Sequence, residues 1–100
     1  MTATLHDLVA HREDVLTRVR RLLIEKLRVQ RAPEEIDPDT PLFGSGLGLD
    51  SIDAVELLVC LDTDFGLRLP NDVTGRAILR TVNGIVDLVL AHERKVLEPA

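Results

Sequence analysis

Gly48-Leu49-Asp50-Ser51-Ile52-Asp53-Ala54-Val55-Glu56-Leu57-Leu58 is the stretch whose reading decides the fold of this chain. Asp50 and Ser51 are both good helix caps, because their short oxygen-bearing side chains accept hydrogen bonds from first-turn N–H groups. Asp53 and Glu56 then place negative charge where the helix dipole favours it. A helix is therefore predicted over 51–65, with Gly66 ending it in the left-handed conformation that glycine adopts freely. From Ile52 to Leu61 this helix is apolar around most of its circumference. A small domain cannot bury every face of such a helix, so some of these side chains must meet solvent or a partner.

Working outward, the periodicity predicts three more helices and no strand. Leu5, Leu8/Val9, Val15/Leu16, Val19, Leu22/Leu23 and Leu27 follow the three-and-four spacing of one buried stripe, which predicts a first helix over about 5–30, stopped by Pro33. The polar run from His11 to Asp14 leaves a break in it open, and its leucines are expected to extend the core. Residues 32–50 have loop composition, with Ile36, Leu42 and Phe43 expected to pin the loop in an ordered state. A short third helix is predicted over 71–79. A fourth is predicted over 82–96 behind the N-cap Thr81, with Val82, Ile85/Val86, Val89 and the stem of Glu93 on one face. Together they make an all-α, small four-helix bundle: three longer helices and one short one in a single domain over 1–100.

Composition narrows the function. Net charge is −5, and only Phe43 and Phe65 are aromatic. Both facts argue against nucleic acid, whose binding rests on Lys and Arg for phosphates and on aromatic rings for bases. Cys60 is alone, so no internal disulfide forms, and with His6, His11 and His92 it offers no metal-ligand spacing. No apolar run reaches the roughly 20 residues of a membrane span, and the first residues lack the apolar core of a signal peptide. The expectation is a cytoplasmic monomer acting through partners. Charge is also segregated. Residues 32–67 hold nine acidic side chains and neither Lys nor Arg, while the remainder carries eight acidic and twelve basic residues. Such a field steers oppositely charged partners. Six of the bases, Arg18, Arg20, Arg21, Lys26, Arg28 and Arg31, crowd the second half of the first helix.

Ser51 is a helix-terminal serine behind a glycine-rich loop, close to unpaired N–H groups that suit a phosphate ester. By position alone it reads as a cap. Its surroundings carry more: Gly48, Asp50, Ser51 and Ile52 resemble the Gly-x-Asp-Ser-[Leu/Ile/Met] attachment motif of the acyl carrier protein family, which includes peptidyl and aminoacyl carriers. Pro41-Leu42-Phe43, the Phe65–Pro70 segment and Thr81-Val82 are similar to family segments in the same order, so the resemblance covers most of the chain. It implies that Ser51 takes 4′-phosphopantetheine from coenzyme A through a separate, magnesium-dependent phosphopantetheinyl transferase. It also implies that the arm's thiol, not Cys60, carries acyl or aminoacyl groups as thioesters between loading enzymes, synthases and transferases. Asp50, Asp53, Glu56 and Asp62 would meet basic docking patches on those enzymes, with Ile52 and Val59 as apolar contacts. The chain would be a carrier, not an enzyme. The long arginine-rich first helix and the glycine-rich loop Phe43–Gly48 depart from the commonest pattern. They point to a stand-alone carrier of a specialised polyketide, polyene or aminoacyl route over bulk fatty acid synthesis. An acyl chain could be buried among Val55, Leu58, Leu61 and Ala77.

Other chemistries fit less well. Gly44-x-Gly46-x-Gly48 lacks the lysine of a nucleotide loop, and Asp62-Thr63-Asp64 lacks the later glutamate of a calcium loop. A serine hydrolase needs Gly-x-Ser-x-Gly and a histidine in reach. The serious rival is an unmodified acidic helical adaptor for a basic partner, with Ser51 as a cap only.

Overall fold

The computed structural model describes residues 5–70 and 78–97, and these form helices, loops and no strand. Helix α1 spans Leu5–Lys26, a 3₁₀ turn Pro33–Glu35, helix α2 Ser51–Phe65 and helix α3 Val82–Leu97. Two of the three long helices keep their expected bounds to within a residue. Residues 71–77 of the expected short helix lie outside the described residues; Ile78 is helical and Leu79 is not.

Helix α1 differs from expectation at both ends. It runs unbroken through His11–Asp14 but closes at Lys26 instead of near Gln30. Arg28 turns the chain into the left-handed region at φ 58°, and the Val29 N–H donates back to the Leu23 carbonyl at 3.1 Å. Pro33 is therefore not the stop signal. At the other end, Leu8 and Val9 are 57% and 52% exposed, so the first turns do not extend the core. Polar contacts tie that half of α1 to α3. His11 Nε2 lies 2.6 Å from Glu93 Oε2, and Arg12 donates to Asp87 at 2.7 Å and to Asn83 at 3.0 Å.

The core is built from one face of each helix. Val15, Val19, Leu23, Leu57, Leu61, Val82, Ile85, Val86 and Val89 are wholly buried, and no charged residue joins them among the described residues. At the C-terminal end of α2, the Arg18 guanidinium stacks 4.5 Å from the Phe65 ring centroid, a cation–π contact between α1 and α2.

The long loop is ordered as expected, and its anchors explain where Ser51 stands. Ile36 and Leu42 are fully buried, while Phe43 is half-buried. The Leu42 N–H donates to Arg80 at 2.8 Å, and its carbonyl accepts from Leu49 at 3.1 Å. The Asn83 N–H donates to Pro38 at 2.8 Å and its side chain to Asp39 at 2.7 Å. Gly46 packs so closely on Pro41 that a Cβ there would overlap the Pro41 carbonyl oxygen. Leu42 thus seats the loop on the start of α3, and buried Leu49 delivers Asp50 and Ser51 to the surface.

Candidate functional site

The cap of α2 is Asp50. Its side chain accepts the Asp53 N–H at 2.9 Å, and the Asp53 side chain accepts the Asp50 N–H at 3.0 Å. This reciprocal box satisfies two orphan donors of the helix end, the work that sequence alone divides between Asp50 and Ser51. Ser51 is instead the first residue of the helix. It is exposed, and its hydroxyl makes no hydrogen bond among the described residues. The N–H groups of Ser51 and Ile52 likewise have no acceptor there, as the start of a helix leaves them. A free hydroxyl beside two unpaired donors and the positive end of a dipole is a place where an oxyanion ester is accommodated.

Beyond Ser51, α2 turns one flank outward. Ile52 is 76% and Val59 60% exposed, with Val55 half-covered, while Ala54, Leu57, Leu58 and Leu61 face the core. Asp50, Glu56 and Asp62 are exposed and Asp53 is half-buried in its box. The spacing of Ile52, Glu56, Val59 and Asp62 sets acidic and apolar side chains on one stripe. Ile52, Glu56, Val59 and Asp62 thus share one exposed flank of α2, while Asp50 and Asp53 sit in the cap beside Ser51.

Sequence reasoning missed an open groove of about 380 Å³ on this flank, lined by Val55, Leu58, Val59, Asp62, Thr63, Arg68 and Leu69. Of the four residues expected around an acyl chain, Val55 and Leu58 line it. Leu61 faces the core, and Ala77 lies outside the described residues. Arg68 and Leu69 arrive from beyond the Gly66 turn, which no helical periodicity could show. The Arg68–Asp62 pair at 3.4 Å is exposed and adds little stability.

The competing chemistries find no support in the geometry. A Cβ at Gly66 would lie 3.7 Å from His92 Nε2, which puts His92 at the far end of α2, about 22 Å of helix from Ser51. His11 is paired with Glu93, the neighbour of His92. Neither is placed as a base for Ser51. The Asp62 carbonyl accepts the Gly66 N–H at 2.9 Å with Gly66 at φ 67°, a helix end and not a cation loop. No cluster of metal-ligating side chains occurs among the described residues, and none of their helices is long and apolar enough to cross a membrane. Burial raises the Cys60 thiol above its ordinary 9.0, helped by Asp64 and Glu56 and opposed by Lys26, so Cys60 is a poor nucleophile.

Residues 17–89 match the family described as "Phosphopantetheine attachment site". The chain is 30% identical over 84 residues to an acyl carrier protein of Cyanidioschyzon merolae, covering 84% of this chain and 87% of that one. It is 29% identical over 79 residues to an acyl carrier protein of Thermosynechococcus vestitus, covering 79% and 91%. The match spans the loop, the capped helix and the fold core together, and the chain belongs to the acyl carrier protein family, whose members hold a covalent phosphopantetheine. Its prosthetic group is accordingly 4′-phosphopantetheine, and a free, exposed hydroxyl at the head of α2 fits that group. The first three turns of α1 and the last two of α3 lie outside the matched residues.

Proposed function

We propose that the chain is a carrier protein modified on Ser51, shuttling acyl or aminoacyl thioesters between the enzymes of a specialised biosynthetic route. The observation that carries this reading is the assignment of the cap to Asp50, which leaves the Ser51 hydroxyl exposed and without a hydrogen bond among the described residues. Modification forms a bond from Ser51 Oγ to the phosphorus bearing the pantetheine arm of coenzyme A. The pyrophosphate bond breaks, 3′,5′-adenosine bisphosphate leaves, and the hydroxyl proton passes to a base on a separate, magnesium-using transferase. Once attached, the group supplies a thiol that holds cargo as a thioester. The chain's own residues do the rest: Asp50 and Asp53 hold the helix end, and buried Leu49 and Leu42 fix its height above the core.

Asp50, Asp53, Glu56 and Asp62 give the flank its charge, and Ile52 and Val59 its apolar contact, for enzymes with basic docking patches. Charge complementarity of this kind sets encounter rate and partner choice more than final affinity. The protein itself performs no catalysis in this reading, and it works as a cytoplasmic monomer. The acidic adaptor, its rival, loses its account of Ser51 once Asp50 is the cap. Intact-protein mass decides between them, after incubation with coenzyme A, magnesium and a broad-specificity phosphopantetheinyl transferase. A gain of one phosphopantetheine, absent from Ser51→Ala, is expected. No gain on a folded protein, or an undiminished gain in Ser51→Ala, would refute the assignment.

A further inference from the structure

We infer that the C-terminal end of α1 is a second interaction surface, cationic where the flank of α2 is acidic, built to receive an acidic patch on a partner protein. The arginines of α1 and of the five residues after its end at Lys26 divide into two sets. Arg12 is bound to Asp87 and Asn83, Arg18 lies over Phe65, and Arg20 donates to the Ile36 carbonyl at 3.0 Å. These three hold the fold together. Arg21, Arg28 and Arg31 are exposed and make no hydrogen bond or ion pair among the described residues.

Arg28 separates a binding role from a structural one. It stands at φ 58°, whereas Gly44, Gly48 and Gly66 fill the other left-handed positions among the described residues. Its situation repeats that of Gly66. The N–H of the following residue, Val29 or Leu67, donates to the carbonyl six residues back, Leu23 or Leu61, at 3.1 Å in both helices. Glycine enters this conformation without the Cβ penalty that arginine meets. Compensation of the helix dipole does not explain the choice, because Lys26 already supplies a cation in the last turn. Burial does not explain it either, since the side chain is exposed. What remains is a guanidinium exposed to solvent, as those of Arg21 and Arg31 also are.

The kind of partner follows from the rest of the charge. Nine acidic side chains occupy residues 32–67. Glu34 and Glu35 stand in the 3₁₀ turn just past Arg31, and the other seven lie within 37–67. An extended polyanion or an anionic bilayer would meet those seven as well, whereas a compact acidic surface reaches the end of α1 without them. Screening over about 8 Å at physiological salt keeps the two regions separately readable.

A short fluorescein-labelled glutamate peptide, compact enough to engage the end of α1 alone and titrated by anisotropy at low and physiological salt, tests this on the unmodified chain. The wild type is expected to bind, more weakly as salt rises. Arg28→Gly is expected to raise the urea midpoint while weakening binding about two- to fivefold, the range of one exposed charge contact. Arg21→Glu with Arg31→Glu should abolish binding with the urea midpoint unchanged, and Glu56→Gln should leave binding intact. The inference is overturned if the wild type fails to bind or if these arginine variants bind as it does. A lowered urea midpoint in Arg28→Gly would make Arg28 a structural residue instead. Tighter binding to phosphatidylserine vesicles than to the glutamate peptide would replace the protein partner by a membrane.

Discussion

Replacing Gly46 by alanine should damage this fold more than any other glycine-to-alanine change in the site loop. A Cβ at Gly46 would overlap the Pro41 carbonyl oxygen and stand 2.7 Å from its carbon. Both atoms are backbone and cannot rotate aside, so the strand of loop must move. That carbonyl accepts the Leu47 N–H at 2.9 Å, and the adjoining Leu42 makes two further backbone bonds, to Arg80 and Leu49. Losing two of these three costs about 1–3 kcal/mol. Partial withdrawal of the buried Leu42 side chain adds about 1 kcal/mol, a fraction of the roughly 1.5–3 kcal/mol that full burial of a leucine contributes. The expected loss is thus about 2–4 kcal/mol, a large share of the roughly 5–15 kcal/mol by which a domain is stable. Gly44→Ala is the control. Its Cβ meets nothing within 4 Å, so only its φ of 69° counts against it, for about 1 kcal/mol. Urea unfolding followed by circular dichroism reads both. With a slope of about 2 kcal/mol per molar urea, Gly46→Ala should lower the midpoint by roughly 1–2 M, and Gly44→Ala by about 0.5 M. Equal midpoints, or the reverse order, would refute the close approach of Gly46 to Pro41.

Asp50→Ala should cost about 1 kcal/mol in thermal unfolding and Ser51→Ala less than about 0.5 kcal/mol, because only Asp50 caps α2; equal losses would return the cap to Ser51. Glu56→Lys should slow modification by a transferase with a basic docking face, with the deficit shrinking as salt is added; a deficit independent of salt would disprove an electrostatic role. Cys60 alkylation should reach half its limiting rate above pH 9.0, with burial as the main cause. Removing Glu56 by Glu56→Gln should therefore restore only part of the shift, and a wild-type midpoint at or below 9.0 would contradict the burial. Because the folded thiol holds its proton more tightly than the unfolded one, Cys60 contributes stability that is present below the unfolded value and fades as pH rises through the folded one.

How far the structure was legible depended on whether a local signal existed. The bounds of α2 were readable because Asp50, Asp53 and Gly66 are chemically suited to the two ends they occupy. Thr81 announced α3, and its hydroxyl does accept the Gly84 N–H at 3.0 Å. The end of α1 was not readable, since an arginine in the left-handed region leaves no trace in composition. Exposure of Leu8 and Val9 was hidden for another reason: periodicity reports a stripe, not whether a neighbour reaches far enough to cover it. The choice of Asp50 over Ser51 as cap was available in principle, because Asp50 and Asp53 stand at the spacing of a capping box. The groove was not, because it joins α2 to Arg68 and Leu69 across a turn.

The freedom of the Ser51 hydroxyl has a consequence for the life history of the molecule. Helical domains with mostly local contacts fold in microseconds to milliseconds, and no bond of the Ser51 hydroxyl to the described residues contributes to that process. The chain can therefore complete its folding before any transferase meets it. Addition or removal of a group at that oxygen then alters what the protein can carry without breaking a bond that the described fold relies on. Folded but uncharged carrier becomes a reserve, drawn on at the pace of the modifying enzyme.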